Sequence, residues 1–456
     1  MRSLPLMAIA SLFAMAADWT QFRGPNGSGV GEGSGYPIEF HATRNVIWKA
    51  ELPRGLSSPV IRGDRIYLTG LDGDQLVTLA LDRTTGKVEW KRAVPRQRAE
   101  KLHQLNHAAS PSVAADARNV VVFFPDFGLI NYTPKGKEQW RVAMGPFDNL
   151  YGMGASPVLA GDRVILVFDQ NRNSFIAAYA LRNGEQLWRT ARPEAQSGHS
   201  TPAIHQNWII APGSFRMDAY DLATGKSAWG VDGLPGEMKS VPVIDGDLIY
   251  VHGFNTPEND PGRMIAVPDF DVALREKDEN KTGTLSKTEA PTKHVERLFQ
   301  FLDLNGDGEM DRAEWSAYKR TMLSENALLA YRIGGELAWK FQRSIPQLPS
   351  PLVYQGVLYM INEAGVLTTL NAKTGALHKQ ARLRGESDRY YASPVAADGK
   401  VYVASHTGVV SVLRAGPDQE LLAANRIDDE ILATPALVDG RVYLRTRSGL
   451  WCFGAR

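Results

Sequence analysis

A short pattern recurs along nearly the whole chain and constrains its fold more than any other feature. A Ser/Thr-Pro dipeptide opens an apolar run at Ser58-Pro59, Ser110-Pro111, Ser156-Pro157, Thr201-Pro202, Ser350-Pro351, Ser393-Pro394 and Thr434-Pro435, and Val241-Pro242 stands in the same role. A small turn and a second run follow each time, as in IRGDRIYLTG, LAGDRVILVF and VDGRVYLRTR. Gly-Asp and Asp-Gly pairs between alternating runs are hairpin signals. Later in most units a turn ends in Gly, and a tryptophan stands four residues on, at Trp90, Trp140, Trp188, Trp229 and Trp339. The unit LNAKTGALHK keeps the turn at Gly375 without the tryptophan, and GPDQELLA is more degenerate.

Successive prolines of the pattern lie 40 to 52 residues apart, except for one interval of 109. A repeat of that length matches one four-stranded propeller blade, and the long interval carries an insertion of roughly 65 residues. Eight units predict an all-β, eight-bladed β-propeller, or seven blades if a degenerate unit merges with its neighbour. The last unit ends after two or three strands at Cys452-Phe453, whereas residues 45–53, with Trp48, read as an outer strand without inner ones. Strand 45–53 is therefore expected to complete the last blade, closing the ring and removing a free sheet edge. The tryptophans read as fillers of the wedge between blades, and the Gly turns allow close approach.

Charge and cysteine content exclude several function classes. Lys+Arg is 51 against Asp+Glu 50, a net charge of +1, so the basic excess of a nucleic-acid binder is missing and no nucleic-acid partner is expected. Cys452 stands alone, which leaves no internal disulfide, no cysteine-based zinc site and no c-type haem motif. Residues 1–17, MRSLPLMAIASLFAMAA, have the positive start, the apolar run of about a dozen residues and the small-residue end of a secretory signal peptide. No cysteine follows for a lipid anchor, and no other stretch approaches 18 apolar residues, so no transmembrane segment is expected. The expected location is secreted or periplasmic.

The T-G-K-x-x-W pattern with its x-S-P-x-V opening resembles the pyrroloquinoline quinone (PQQ) repeat over nearly all of residues 45–456 outside the insertion. That repeat builds the eight-bladed propellers of bacterial quinoprotein dehydrogenases and the propeller lipoprotein of the outer-membrane protein assembly machinery. The stretch Asp18 to Pro25 resembles the mature start of secreted propellers of this class. The resemblance implies the fold; for function it implies either an enzyme or a binding scaffold. The enzyme pattern is incomplete here. The periplasmic alcohol dehydrogenases stack the quinone on a disulfide between adjacent cysteines, which a single cysteine cannot supply. The haem-fused ones carry a Cys-x-x-Cys-His motif that is missing, and their calcium and catalytic carboxylates find no matching positions. PQQ is thus a cofactor implied by the repeat without its usual platform.

The insertion carries a different chemistry. Residues 303–314, DLNGDGEMDRAE, fit the twelve-residue EF-hand calcium loop. Asp303, Asn305 and Asp307 fall at positions 1, 3 and 5, Gly308 at the sharp turn of position 6 and Glu309 at position 7, where its carbonyl is the ligand. Asp311 is at position 9 and Glu314 at the bidentate position 12. Ca²⁺ wants six to eight oxygens, and this spacing wraps them around one centre. Apolar residues flank the loop as on helices: Val295, Leu298, Phe299 and Leu302 before it, Trp315 and Tyr318 after it. A weaker loop upstream places Asp278, Asn280, Thr282, Thr284, Ser286 and Glu289 at positions 1, 3, 5, 7, 9 and 12. Its fewer carboxylates imply weaker calcium binding. Leu285 and Met310 share position 8, where paired loops form a short mutual β-bridge. Pro291 and the short spacing indicate a compressed pair.

The expected organisation is a signal peptide at 1–17, the propeller's N-terminal segment and first blades at 18–255, the EF-hand pair at 256–326, and the remaining blades at 327–456. The insertion leaves after LIYVHG and returns at NALLAY, between the second and third strands of blade five. Loops there share a face with the segments that enter each innermost strand. Residues just before each Ser/Thr-Pro line that face: His107, Tyr151, His199, Lys239, Arg389, Tyr390 and Tyr391, with Arg216 and His406 on neighbouring loops. They form the candidate ligand channel. The features together favour a calcium-binding propeller that binds or scaffolds an unidentified protein or glycan, the calcium ordering the insert over one face. The alternative is a quinoprotein-like dehydrogenase oxidising alcohols or sugars.

Overall fold

A computed structural model describes residues 18–383 and 388–455; the signal peptide expected at 1–17 lies outside them. Eight four-stranded antiparallel sheets follow one another around a ring. Blade 1 comprises Val60–Arg62, Arg65–Asp72, Gln75–Asp82 and Val88–Pro95, from inner to outer. Blades 2, 3 and 4 span 114–143, 158–191 and 203–232, blade 5 spans 243–253 and 327–341, and blades 6 and 7 span 352–382 and 395–426. Blade 8 takes its inner three strands from 436–454 and its outer strand from Val46–Glu51, which pairs antiparallel with Gly449–Gly454. The ring is thus closed by its two ends.

The middle strands are sandwiched between neighbouring blades on both faces and so lose hydrophobic alternation. Val120–Phe124 and Phe175–Ala180 are buried at every position. Outer strands keep a polar side, as in Glu138–Ala143.

The tryptophans bridge blades in a repeated socket. The indole of each sits on the Gly turn of the next blade: Trp48 on Gly86, Trp90 on Gly136, Trp140 on Gly184, Trp188 on Gly225 and Trp339 on Gly375. A Cβ at Gly136 would lie 2.7 Å from the Trp90 ring, and its φ is +78°, so glycine is required on both counts. The indole Nε1 donates across the same junction, for example Trp90 to the Pro134 carbonyl at 2.9 Å and Trp140 to that of Leu181 at 2.7 Å.

The Ser/Thr of the repeat builds a second device around the channel. The N–H of Ser58 donates to the hydroxyl of Ser112, Ser112 to Ser156, and Ser156 to Thr201, at 2.9–3.0 Å. Beyond a gap, Val241 donates to Ser350, Ser350 to Ser393, Ser393 to Thr434 and Thr434 back to Ser58, at 2.9–3.1 Å. In blade 2 the equivalent residue is Ser112, two residues beyond Ser110 of the Ser110-Pro111 dipeptide. The position is set by its distance from the inner strand, not by the proline. Val241 has no hydroxyl, so the girdle is open between blades 4 and 5.

The N-terminal segment crosses the other end of the channel. Trp19, 1% exposed, pairs with Ile61 of blade 1, and the Thr20 carbonyl accepts from Ala115 of blade 2. The Asn26 side chain exchanges two 2.8 Å bonds with Ile204 of blade 4, and Gly29 and Gly31 bond Ala396 of blade 7. Phe22 is half-buried.

The insertion leaves after Gly253 and returns at Ala327. It holds α1 (Phe270–Lys277), α2 (Lys293–Leu302) and α3 (Arg312–Leu323). Thr292 caps α2 by accepting from the Val295 N–H at 3.2 Å, and Asp311 caps α3 by accepting from Glu314 at 2.9 Å. Phe270, Val295, Phe299, Met310, Trp315 and Tyr318 form a small core of its own. None of the described helices is long and apolar enough to cross a membrane.

Candidate functional site

Three of the residues expected on the channel face meet in one place. Tyr151, His199 and Lys239 line a cavity of about 210 Å³ with His103, Leu105, Asn106, Gly154, Gln347 and Leu348. All lie on segments that lead into the inner strands, at the end of the ring that carries the insert. The Tyr151 ring meets His103 edge-on at 5.8 Å and His199 at 5.8 Å, and the Lys239 Nζ lies 5.4 Å from its centre. Its hydroxyl donates to one Glu237 oxygen at 2.9 Å, and Lys239 forms an ion pair with the other. Burial and the adjacent Glu237 carboxylate push the Tyr151 phenol above its ordinary range. Burial, then Lys239 and His103, hold the His199 imidazole down to about 3, so it is neutral at pH 7. The His103 Nδ1 accepts from the Leu105 N–H at 3.2 Å, which leaves its Nε2 to carry the proton of a neutral ring.

The other expected channel residues lie elsewhere. His107 accepts the Ala109 N–H at 3.2 Å; burial, then Arg54, Arg445 and Arg96, hold it down to about 4. Arg389, Tyr391 and His406 form a separate group on blade 7, with Arg389 3.4 Å from the Tyr391 hydroxyl and the Tyr391 and His406 rings 5.3 Å apart. Tyr390 is 5% exposed and packs on Gly365 in the core between blades 6 and 7. Consecutive extended residues point to opposite faces, so the run Arg389-Tyr390-Tyr391 cannot put all three side chains on one surface. Arg216 pairs with Asp218 at 2.9 Å and Asp232 at 3.1 Å, on a different cavity beside Arg192. Sequence reasoning missed His103, Glu237 and Gln347. Glu237 was legible in part, as an acid two residues before Lys239.

A second cavity, about 190 Å³, lies between ring and insert. The insert contributes Leu298, Phe301, Leu302 and Met322, and the ring contributes Ser197, Glu237 and Asn255, with Tyr151 and Gln347 common to both cavities. The Phe301 ring faces Tyr151 at 6.5 Å and 29°. Polar ties hold the insert there. Arg172 of blade 3 lies 3.4 Å from the Glu314 carboxylate, Arg320 pairs with Glu194, and the Arg320 guanidinium is 4.4 Å from the Phe215 ring. Asn255 at the foot of the insert donates to the Ser324 hydroxyl at 2.8 Å, and within the insert Asn259 donates to the Thr321 carbonyl at 2.7 Å.

The two loops of the insert share one scaffold. Asp303 accepts from Gly306, Asp307 and Gly308 at 2.7–3.2 Å, and Asp278 accepts from Thr282 and Gly283 at 3.0–3.1 Å. Glu314 accepts from Leu304, Asn305 and Asp311 at 2.9–3.1 Å, and Glu289 accepts from Glu279, Asn280 and Ser286 at 2.9–3.2 Å. Leu285 and Met310 pair across a two-residue antiparallel bridge. Asn305 and Asp307 are exposed, the Asn305 amide donating to the Asp307 carboxylate at 2.8 Å, whereas Glu314 is 2% exposed. Among the described residues no three His, Cys, Asp or Glu side chains are gathered as a metal cluster.

Residues 30–172, 172–271 and 307–456 match the family described as outer membrane protein assembly factor BamB. The chain belongs to that family. The match passes over 272–306, inside the insert. A BamB from Burkholderia pseudomallei (strain K96243) is 24% identical over 215 residues, 45% of this chain and 52% of the relative; the chain thus spans about half the length of the curated relative it matches. BamB from Moraxella catarrhalis superposes with a TM-score of 0.57 at 11% identity, covering 90% of this chain and 99% of that one. A europium-containing methanol dehydrogenase gives 0.60 at 11% identity, over 95% and 90%. The quinohemoprotein alcohol dehydrogenase from Comamonas testosteroni gives 0.59 at 13%, over 98% and 82%. At these identities the likeness is one of fold, which enzymes and an assembly factor share.

Proposed function

We propose that this BamB-family propeller is a secreted or periplasmic binding protein whose ligand lies between the ring and the insert, with calcium ordering the insert over that site. The supporting observation is the pair of adjoining cavities that share Tyr151 and Gln347, one in the ring and one roofed by α2 and α3. The donor set suits a hard cation. Asp303, Asn305, Asp307, the Glu309 carbonyl, Asp311 and Glu314 would hold calcium in one loop, and Asp278, Asn280, Thr282, Thr284, Ser286 and Glu289 a weaker ion in the other. Bound there, calcium would neutralise charge in a loop whose ligand positions carry four carboxylates. Glu314 lies in the first turn of α3, so fixing it also fixes the helix that carries Thr321 and Met322 over the cavity. Melting of wild type and Glu314→Gln, each with and without calcium, tests this. Calcium should raise the wild-type melting temperature clearly more than that of the variant, which keeps only the weaker loop; equal shifts in both proteins contradict it.

A second reading, a quinoprotein-like dehydrogenase, draws support from the aromatic face of Tyr151 beside Lys239 and His199. Titration of PQQ with calcium in excess separates the two. The binding-protein reading expects no saturable micromolar complex, and such a complex followed by dye-linked alcohol oxidation would replace it.

A further inference from the structure

We propose that the joined cavities take a neutral hydroxylated ring carrying an apolar substituent, such as a sugar with an alkyl or acyl chain, the ring beside Tyr151 and the substituent under α2. This deepens the reading of the ring–insert groove as the binding site and rests on it.

The ring compartment is polar, and the one ammonium on its lining is already paired. The Lys239 ammonium is matched by Glu237, and Glu363, which accepts the Gln347 and Leu348 N–H groups, adds a second carboxyl nearby. His199 is uncharged at neutral pH. An anionic ligand would have to displace Glu237 from Lys239, and a cationic one would meet Lys239 itself. The remaining valences are mixed. Lys239 has N–H groups beyond its Glu237 bond, the His199 ring offers one donor and one acceptor, and the exposed Gln347 amide offers both. A hydroxyl group both donates and accepts, so a polyol satisfies such a set where a carboxylate or an ammonium cannot. The Tyr151 ring, with Phe301 near-parallel to it at 6.5 Å, gives an aromatic wall where the two compartments meet.

The adjoining compartment differs. Leu298, Phe301, Leu302 and Met322 wall it on the insert side, and Phe301 is 36% exposed in a helix where Val295 and Phe299 are buried and Leu298 and Leu302 half-buried. Tyr151 and Gln347 are where the two compartments meet. A ligand that fills both has a polar head and an apolar tail.

The test uses the full mature chain with methyl, butyl and hexyl β-glucoside, each below its micellar concentration, and hexyl sulfate and hexyltrimethylammonium as charged controls. Affinity by calorimetry should tighten about fourfold for each of the first methylenes added. Phe301→Ser, at an exposed position, should flatten that dependence. Lys239→Met should weaken every glucoside by a similar factor. A series with no chain-length dependence in wild type, or hexyl sulfate binding as tightly as hexyl glucoside, overturns the proposal. Absence of binding by every probe also overturns the ligand class. The calcium-dependent melting above stands apart from all of these outcomes, so failure of the ligand class and failure of the calcium-ordered insert are distinguished.

Discussion

The junctions between blades 1 and 2 and between blades 4 and 5 are built from the same repeat and held differently. At the first, the Ser58 N–H meets the Ser112 hydroxyl, the Trp90 Nε1 meets the Pro134 carbonyl, and the indole lies on Gly136. At the second, all three devices are weakened. Val241 offers no hydroxyl, the Trp229 Nε1 has no partner among the described residues, and Gly335 lies closer to Val231 than to the Trp229 ring. Other contacts take over there. Asn26 of the N-terminal segment bonds Ile204, Gly27 lies on Val241, and the Ser200 hydroxyl donates to the Ser240 carbonyl. The insert adds ties from blade 5 to Arg172 and Glu194, on blade 3 and the segment after it. A repeat can lose its own fastening where an insertion clamps the neighbouring blades from outside.

The largest effect should come from removing an indole. Trp90→Ala deletes a 7%-exposed side chain and its hydrogen bond, a loss of about 3–5 kcal/mol. Trp229→Ala should cost about 1–2 kcal/mol less, since no hydrogen bond goes with it. Chemical denaturation of both checks the order, and equal losses would remove the distinction between the junctions.

Under the proposed calcium-ordered reading, calcium should act on the second junction alone. At a hundredfold excess over its dissociation constant it should add about 2.7 kcal/mol to wild type and clearly less to Glu314→Gln, which keeps only the weaker loop. Calcium titrations followed by denaturation measure this.

Acid should also act there. The buried His199 and His252 imidazoles are held at about 3 and about 4, burial being the main cause in both. The unfolded chain takes up protons near the ordinary imidazole value of 6.5, so it binds more protons than the folded one below that pH. Their contribution is full above about 6.5 and is lost as pH falls toward 3. His199→Gln should make stability less steep over that range. A slope identical to wild type would place the acid sensitivity elsewhere.

The smallest effects belong to single girdle bonds. Ser156→Ala removes the acceptor of the Ser112 N–H and should cost about 1 kcal/mol. Val241→Thr supplies the missing acceptor between blades 4 and 5 and should gain up to about the same. Denaturant midpoints of the two variants should move in opposite directions.

The ring was legible because its devices repeat: proline, turn glycine and tryptophan recur at a blade's length, and the lone strand with Trp48 supplied the closure. The girdle register in blade 2 was not legible, since Ser110-Pro111 imitates the pattern while Ser112 occupies the position. Within the site, Tyr151, His199 and Lys239 could be anticipated from their place before the inner strands. His103 and Gln347 reach the same cavity from longer connecting segments, whose path no periodicity describes. Tyr390 shows the opposite limit, because its neighbours Arg389 and Tyr391 face outward while it fills the core.

Hydrogen exchange of the full chain with and without calcium tests the central claim most directly. The account predicts that calcium slows exchange in α2 and α3 and in the ring segments they cover, around residues 194–199 and 236–241, and leaves blades 1 and 7 unchanged. Exchange that calcium does not alter in α3, or that slows equally around the whole ring, would contradict it.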